Sequence, residues 1–238
     1  MQPNPQGYNV TTETVSYPGN GGSADGFLAR PNDGQQHLGV ILVQEWWGLE
    51  PHIKDLAQQI ANEGYVVLTP DFYHGKVVAE PNEAQKGAMT LNKDEAVAEI
   101  EQAIVYLRGR DDVEPKAVGM AGFCMGGMLT LRTAEQVSEQ LACIAPFYPG
   151  GYNPTAEDMA KITVPILAIF GENDPSIPKS TRDNIANLIE QQEKDDSKVI
   201  VYPDAGHAFM NPTHGMGKPD AAADAFTELI AFFKQHLG

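Results

Sequence analysis

Cysteine is scarce in this sequence, since Cys124 and Cys143 are the only two among 238 residues. So small a number excludes a disulfide framework, and free thiols suit a reducing cytoplasm. The two cysteines lie far apart along the chain, and no pair among the six histidines has convincing metal-ligand spacing. We therefore expect neither a metal site nor a cofactor. Cys143 lies in the apolar stretch LACIAPFY, which favours a buried core position.

Positive charge and long apolar runs are scarce as well. The chain has 16 basic residues against 32 acidic ones, a net charge of -16, so no positive field exists to attract nucleic acid or an anionic membrane. No apolar run approaches the roughly 18 residues of a membrane-spanning helix. The first ten residues have neither a basic nor an apolar signal region, so no secretory signal is expected. These absences predict a cytoplasmic protein, whose oligomeric state the sequence does not set, although a monomer is compatible with it.

Apolar stretches alternate with amphipathic ones along the chain. After an initial strand pair, this alternation predicts an α/β fold with a mostly parallel sheet of about eight strands, covered by helices on both faces. The length is compatible with one domain, 1–238, in which 1–9 form a flexible tail and 76–92 a loop or cap bordering the site. The predicted strands cover 10–17, 23–29, 38–43, 65–68, 116–121, 141–148, 166–170 and 199–202, and the longer predicted helices cover 51–61, 93–107, 178–192 and 219–236.

The segment Gly122-Phe123-Cys124-Met125-Gly126-Gly127 follows a short apolar strand and opens a helix. Glycines two residues either side of a Ser or Cys are typical of a nucleophile elbow, because bulk at the flanking positions would collide with neighbouring elements. The nearby helix N-terminus favours the thiolate form of Cys124. The motif alone is equally compatible with a small residue packed between two elements, so its context decides.

That context comes from two later strand ends. The strand 166–170 runs into a turn that carries Glu172 and Asp174, and the strand 199–202 is followed by His207. The chain order is therefore nucleophile, acid, histidine, and the carboxyl ends of parallel strands converge on one crevice. His207 is the expected base, because neither His74 nor His214, in loops, nor the remaining histidines at 37, 52 and 236, follows a strand in this way. Asp174 is preferred over Glu172 because it reaches further into the turn.

Glu45 stands at the end of an apolar strand, where an unpaired carboxylate is costly. One interpretation is a helix N-terminal charge near Pro51. The functional interpretation places Glu45 beside Cys124, where it controls when the thiol ionises. The backbone N–H groups of Met125 and Trp46 are the expected oxyanion-hole donors, since an elbow takes one donor after the nucleophile and one from the earlier strand–helix loop.

Four motifs together resemble the dienelactone hydrolase family over residues from about 15 to the C-terminus. The resemblance implies an α/β-hydrolase fold and a Cys-His-Asp hydrolase in which Cys124, His207 and Asp174 act and the equivalent of Glu45 pairs with the nucleophile. Trp47, Tyr73 and Phe209 are then the expected substrate contacts. The motifs are Gln44-Glu45-Trp46-Trp47-Gly48, Asp71-Phe72-Tyr73-His74-Gly75, Gly122 to Gly127, and Gly206-His207-Ala208-Phe209.

The resemblance implies a small-molecule ester or enol-lactone substrate, such as carboxymethylenebutenolide, which the family opens to maleylacetate. Family members specific for that lactone hold its carboxylate with arginines, one of them shortly after the histidine. This chain has Asn211 there, and an amide cannot supply a charged bidentate clamp. The hydrolytic machinery is therefore indicated more strongly than the substrate.

Two other functions are compatible with the sequence. A non-catalytic receptor could retain a hydrolase pocket for binding a small molecule, although binding alone does not need Cys124, His207, Asp174 and Glu45 together. A redox-sensing Cys124 would need a resolving partner, for which only Cys143 is available. The ester or lactone hydrolase is the preferred hypothesis.

Overall fold

The computed structural model describes residues 7–19, 21–114, 116–192 and 196–238. In this part of the chain, eight strands form one sheet in the order β1-β2-β4-β3-β5-β6-β7-β8. The strands are β1 Val10–Gly19, β2 Gly22–Pro31, β3 Leu38–Val43, β4 Tyr65–Pro70, β5 Val118–Phe123, β6 Leu141–Phe147, β7 Leu167–Gly171 and β8 Lys198–Tyr202. The helices are α1 Pro51–Asn62, α2 Pro81–Thr90, α3 Lys93–Arg108, α4 Met125–Val137, α5 Ala156–Lys161, α6 Lys179–Glu190 and α7 Pro219–His236, with a 3-10 turn at Ser138–Gln140.

The sheet is parallel except at one edge. β1 pairs with β2, and β2 with β4, in antiparallel register, whereas every other neighbouring pair is parallel. All residues of β3, β4 and β5 are buried, as expected for strands covered on both faces. The predicted α/β class with a mostly parallel eight-stranded sheet is confirmed. Its parallel strands end at a common edge, which is where the candidate site lies.

Helix α7 covers the sheet at the strand that leads to Cys124. A Cβ on Gly119 of β5 would lie 2.9 Å from Leu237 Cδ1 and 3.1 Å from Phe233 Cε1, so the missing side chain lets the helix approach. The Phe233 ring is fully buried and meets the Tyr65 ring at 5.8 Å between centroids. The position of β5 therefore depends on the packing of α7.

Two parts of the chain are more ordered than the sequence indicates. The stretch 76–92, predicted to be the least regular part of the chain, a loop or cap with two short helical hints, contains the ten-residue helix α2, which begins at Pro81 and buries only Ala84. Proline suits the first turn of a helix, because the N–H that it lacks would be unpaired there. The short helix α5 was not predicted, although Thr155 and Asp158 form a reciprocal cap at its start.

Within the predicted flexible tail, residues 8 and 9 are hydrogen bonded to the rest of the fold. The Tyr8 amide donates to the Asn62 carbonyl at 3.0 Å, and the Asn9 carbonyl accepts from the Asn32 amide at 2.8 Å. The remainder of that predicted tail, 1–6, lies outside the described residues. Among the helices that the structure describes, none combines the length and the apolar character needed to cross a bilayer.

Phe233→Ala should lower the free energy of unfolding by about 3–5 kcal/mol, because it removes a fully buried aromatic ring and leaves a cavity under β5. The measurement is urea-induced unfolding followed by circular dichroism. Phe226→Ala on the same helix is the matched control, since Phe226 is only partly buried and its loss should cost clearly less. Equal losses for the two variants would contradict the role assigned to Phe233.

Candidate active site

Cys124 sits at a sharp turn between β5 and α4, with φ 54° and ψ -114°. A positive φ is strained for any residue that has a Cβ, and such strain persists only where the surroundings impose it. Here the Cys124 amide donates to the Phe147 carbonyl at 3.1 Å, and the Cys124 carbonyl accepts from the Gly150 amide at 3.2 Å. These bonds tie the turn to the end of β6 and present the Cys124 side chain at the sheet edge.

The glycines around Cys124 are required by backbone contacts. A Cβ on Gly122 would lie 2.3 Å from the Gly126 carbonyl oxygen, and one on Gly126 would lie 2.4 Å from the Val43 oxygen. A Cβ on Gly127 would lie 2.6 Å from the Phe147 oxygen. These atoms belong to the backbone and cannot turn away. The elbow geometry predicted from the G-x-C-x-G motif is therefore present in the structure.

His207 lies between Cys124 and Asp174. Its Nε2 is 3.0 Å from the Cys124 sulfur, and its Nδ1 is 2.7 Å from Asp174 Oδ2. The other Asp174 oxygen accepts from the Ser176 and Ile177 amides at 2.7 and 3.2 Å, which fixes the carboxylate. The side chain of Asp174 is only 2% exposed, whereas Glu172, the alternative acid, is exposed.

The electrostatics of this trio favour a positively charged imidazole. Burial by itself would lower the pKa of His207, but hydrogen bonds to Asp174 and Cys124, together with their negative charges, raise it to about 10. An imidazole paired with two acidic groups holds its proton more tightly. The hydrogen bonds to Asp174 and Cys124 therefore favour the charged form of the His207 imidazole.

The two expected oxyanion donors belong to different elements of the fold. Met125 is the first residue of α4, and Trp46 follows the end of β3. Neither amide donates to an acceptor within the described part of the chain. A free N–H group at a helix start, such as that of Met125, is suited to binding an anion. Both positions remain compatible with the predicted role.

Glu45 is fully buried, and its partners differ from the expected one. Its carboxylate accepts from Asn211 Nδ2 at 2.6 Å and from the Tyr148 hydroxyl at 3.3 Å. Within the described residues the Cys124 sulfur is hydrogen bonded to His207, so the expected pairing of Glu45 with the nucleophile is not made here. Glu45 is not itself the residue that caps α1, because the N-cap residue is Glu50.

Burial raises the pKa of Glu45 to about 7. The hydrogen bond from Asn211 opposes this effect, the nearby Glu50 carboxylate adds to it, and the charge of His207 and the hydrogen bond from Tyr148 lower it. A carboxylic acid in this environment changes charge near neutral pH rather than in acid. Glu45 can therefore alter the field at the site within the working pH range of most enzymes.

Tyr148 and Gly150, at the end of β6, were missed by the sequence reasoning. The Tyr148 ring lies 5.3 Å from the His207 ring between centroids, and its hydroxyl contacts Glu45. A Cβ on Gly150 would lie 3.6 Å from His207 Cε1 and 3.7 Å from the Cys124 sulfur. Their place at the end of a predicted strand could have identified them, because β6 lies next to β5 in the sheet and the ends of parallel strands meet at the same crevice.

The three expected substrate contacts differ in accessibility. Phe209 is fully buried and packs against Tyr148 and Tyr202, so it supports the site from within the core and offers no surface to a substrate. Trp47 is 3% exposed and stacks on His214 with ring centroids 3.7 Å apart. Only Tyr73 is partly exposed, with its hydroxyl 3.8 Å from the Met125 sulfur.

A cavity of about 420 Å³ lies beside Tyr73. Its wall combines apolar side chains with two ammonium groups and one carboxylate. The lining residues are Phe72, Tyr73, Lys76, Val78, Glu83, Lys86, Gly87, Thr90 and Leu91.

The remaining histidines lie in other environments. His37 is buried, not at the surface as its sequence context indicated, with its ring nitrogens 3.0 Å from the Gly64 carbonyl and from Asp33. His214 pairs with Glu50. Among the described residues no group of three or more His, Cys, Asp or Glu side chains is arranged to hold a metal ion.

Comparison with known proteins adds an independent line of observation. The model of the "Dienelactone hydrolase family" matches residues 24–237. The chain is 35% identical to "Protein usf" of Aquifex pyrophilus, over 94% of this chain and 99% of that protein. It is 30% identical to "Putative carboxymethylenebutenolidase" of Aquifex aeolicus, again over 94% and 99%. The crystal structure of "Putative Dienelactone Hydrolase" from Klebsiella pneumoniae superposes with a TM-score of 0.85 at 23% identity, covering 95% and 99% of the two chains.

Gly126→Ala should destabilise the protein by about 1–3 kcal/mol, because the new methyl group would overlap the backbone at the end of β3. Displacing β3 would also move Trp46, so ester hydrolysis should fall more than folding does. Thermal unfolding and turnover measured on the same preparation test both effects. Gly22→Ala is the control, since no heavy atom of the other described residues, its two chain neighbours apart, lies within 4 Å of its Cβ position. An unaffected Gly126→Ala enzyme would contradict the elbow packing.

Glu45→Gln should change stability in a pH-dependent way. Because the pKa of Glu45 rises from 4.5 to about 7 on folding, the folded chain holds this proton more tightly than the unfolded chain. That contribution is fully present below pH 4.5 and is lost as the pH rises to about 7. The neutral amide avoids the loss, so the variant should match the parent in acid and exceed it by up to about 3 kcal/mol above pH 7. Urea unfolding at several pH values measures this.

Glu172→Gln is the control for that experiment, since Glu172 is exposed and its replacement should bring no such gain. A Glu45→Gln protein that is less stable than the parent above pH 7 would show that Glu45 is held as a stabilising charge.

Proposed function

The chain belongs to the dienelactone hydrolase family, a family of ester-bond hydrolases with the α/β-hydrolase fold, and from this premise we propose a mechanism and a substrate class. Cys124 is the nucleophile, His207 the acid and base, and Asp174 the residue that orients His207. The substrate is a small ester or enol lactone. The membership predicted from the four motifs is confirmed by the family match, whereas the roles of individual residues are our proposal.

In the first half of the reaction, the Cys124 thiolate attacks the carbonyl carbon of the ester or lactone and forms a tetrahedral intermediate. The carbonyl oxygen becomes an oxyanion, which accepts hydrogen bonds from the Met125 and Trp46 amides. As the C–O bond breaks, the His207 imidazolium gives its Nε2 proton to the leaving oxygen. The product of this half is a thioester on Cys124 and a neutral imidazole.

In the second half, the neutral His207 takes a proton from a water molecule, whose oxygen attacks the thioester carbon. Collapse of the second tetrahedral intermediate releases the carboxylic acid and restores the thiolate and the imidazolium. Asp174 stabilises the charged imidazole and fixes its tautomer throughout. For a lactone, both products of hydrolysis remain parts of one molecule.

The observation that carries the proposal is the position of His207, within hydrogen-bond distance of both Cys124 and Asp174. These residues come from three different strand ends and are separated by up to 83 positions in sequence. A receptor that only binds a small molecule has no need of this trio, nor of a strained Cys124. The trio therefore favours a hydrolase over the receptor. A redox sensor is disfavoured separately, because Cys143, the available resolving partner, is fully buried.

The charged groups around the site bear on whether the substrate carries a carboxylate. Asn211 faces the carboxylates of Glu45 and Glu50, so it does not replace the arginine that holds the substrate carboxylate in dienelactone-specific relatives. Lys76 and Lys86, on the wall of the cavity beside Tyr73, are cations that could attract an anionic substituent. Carboxymethylenebutenolide, opened to maleylacetate, therefore remains one candidate among small esters and lactones.

Cys124→Ala should lower kcat/KM for p-nitrophenyl acetate and for a dienelactone by at least about 1,000-fold, because the nucleophile is removed. Mass spectrometry of the parent protein during turnover should show an acyl group on Cys124. Cys143→Ala is the thiol control and should retain activity. Turnover of the simple ester alone would retain the chemistry and exclude the lactone. Saturable binding without turnover would favour the receptor, and an active Cys124→Ala enzyme would exclude the mechanism.

A further inference from the structure

Two carboxyl groups outside the Cys–His–Asp trio share one amide donor in the core. Asn211 Nδ2 lies 2.6 Å from Glu45 Oε2 and 2.8 Å from Glu50 Oε1. The Asn211 Oδ1 atom accepts from the Thr213 amide at 2.9 Å, and this bond fixes which end of the side-chain amide points toward the acids. All three side chains are buried, Asn211 and Glu45 completely. We refer to Glu45 and Glu50, together with the Asn211 amide that joins them, as the bridged acid pair.

The bridged acid pair is connected to the surface through His214. The second oxygen of Glu50 lies 3.0 Å from His214 Nε2, and the side chain of His214 is 18% exposed. Its ring stacks on Trp47 with an interplanar angle of 13°, so the imidazole is held in one orientation. At the other end, Tyr148 contacts Glu45 and packs against the His207 ring. Hydrogen bonds and ring contacts therefore link a surface histidine to the candidate nucleophile.

Two buried carboxyl groups that accept from one amide nitrogen repel each other when both are charged. Ionising the second carboxyl group therefore costs more than ionising the first, and the last proton is released at a pH that belongs to the pair and not to either residue. The raised pKa of Glu45, to which the Glu50 charge contributes, agrees with this geometry. His214 is the one basic side chain in contact with Glu50, within the part of the chain that the structure describes.

Other charged groups face this network from neighbouring elements. The trio of Cys124, His207 and Asp174 lies beyond Tyr148. His52, on α1, interacts with His214 and with Asp55, and burial lowers the pKa of His52 to about 4, so it is uncharged near neutral pH. The ionisable groups nearest to Glu50 in this network are thus His214, by direct contact, and Glu45, through Asn211.

We propose that Glu45 and Glu50 share one proton across Asn211, and that Glu50 and His214 are positioning residues that set the pH at which this proton leaves and Glu45 becomes charged. The proposal rests on the function proposed above only for its effect on activity. When Glu45 is neutral, the thiolate of Cys124 has no additional negative neighbour. When Glu45 is charged, it repels the thiolate, and its negative charge makes the His207 imidazole hold its proton more tightly. The bridged acid pair therefore sets one limb of the pH profile.

The test uses two substitutions with opposite expected effects. Glu50→Gln removes one acid of the pair, so the proton should leave about one pH unit lower. His214→Phe keeps a ring against Trp47 but removes the basic group, so the proton should leave about one pH unit higher. Infrared difference spectroscopy of the intact protein measures this directly, through the protonated-carboxyl band that Glu45→Gln removes near neutral pH. The corresponding limb of kcat/KM should move in the same two directions.

Asp33→Asn is the matched control, since Asp33 and His37 form a second carboxylate–histidine pair at 3.0 Å that is remote from the site. It should leave the band and the pH profile unchanged. Shifts in the same direction for Glu50→Gln and His214→Phe, or no shift in either, would overturn the proposal. If Glu50→Gln fails to fold, an unshifted band in His214→Phe is sufficient to overturn it, and an upward shift supports it.

The infrared readout needs no turnover and so separates this proposal from the proposed function. Opposite band shifts in a protein that hydrolyses no ester would support the shared proton and exclude the hydrolase mechanism. An active hydrolase without opposite shifts would retain the mechanism and exclude the shared proton.

Discussion

The backbone of Cys124 is held in a conformation that a residue with a side chain avoids, and the rest of the site is arranged around that constraint. The turn is kept in place by hydrogen bonds to the end of β6 and by close contacts of three glycines with neighbouring backbone. Strain of this kind survives only when the surrounding fold outweighs it. The buried strands β3 and β5, with α7 packed beneath β5, provide that support. The packing of the core therefore fixes the position of the Cys124 sulfur at the sheet edge.

Much of this arrangement could be predicted from the sequence, because the relevant signals are local. Glycine spacing around Cys124, apolar runs before Asp174 and His207, and the convergence of parallel strand ends are each visible in short stretches. The partners of Glu45 were not predictable in the same way. Asn211 lies 166 positions away, and in the sequence it stands out only because it occupies the position of an arginine in dienelactone-specific relatives. That it bridges two acids depends on tertiary packing, which no local pattern records.

The helix α2 illustrates a second limit. Its sequence is polar and buries only Ala84, so it lacks the apolar stripe that identifies a surface helix. It is held by a small cluster of Trp47, Val78 and Ala84, separate from the main core. The same Trp47 also stacks on His214. Trp47 thus contacts both Val78, on the wall of the cavity beside Tyr73, and His214, which binds Glu50.

Gly150 has a further consequence for the shape of the reaction chamber. A single methyl group at this position would touch both the sulfur of Cys124 and the ring of His207 at ordinary van der Waals distance. A larger side chain there would occupy more of the space beside Cys124 and His207. The space available to an acyl group at this place therefore depends on Gly150 having no side chain. Substrate size could be altered there by exchanging a residue that takes no part in the chemistry.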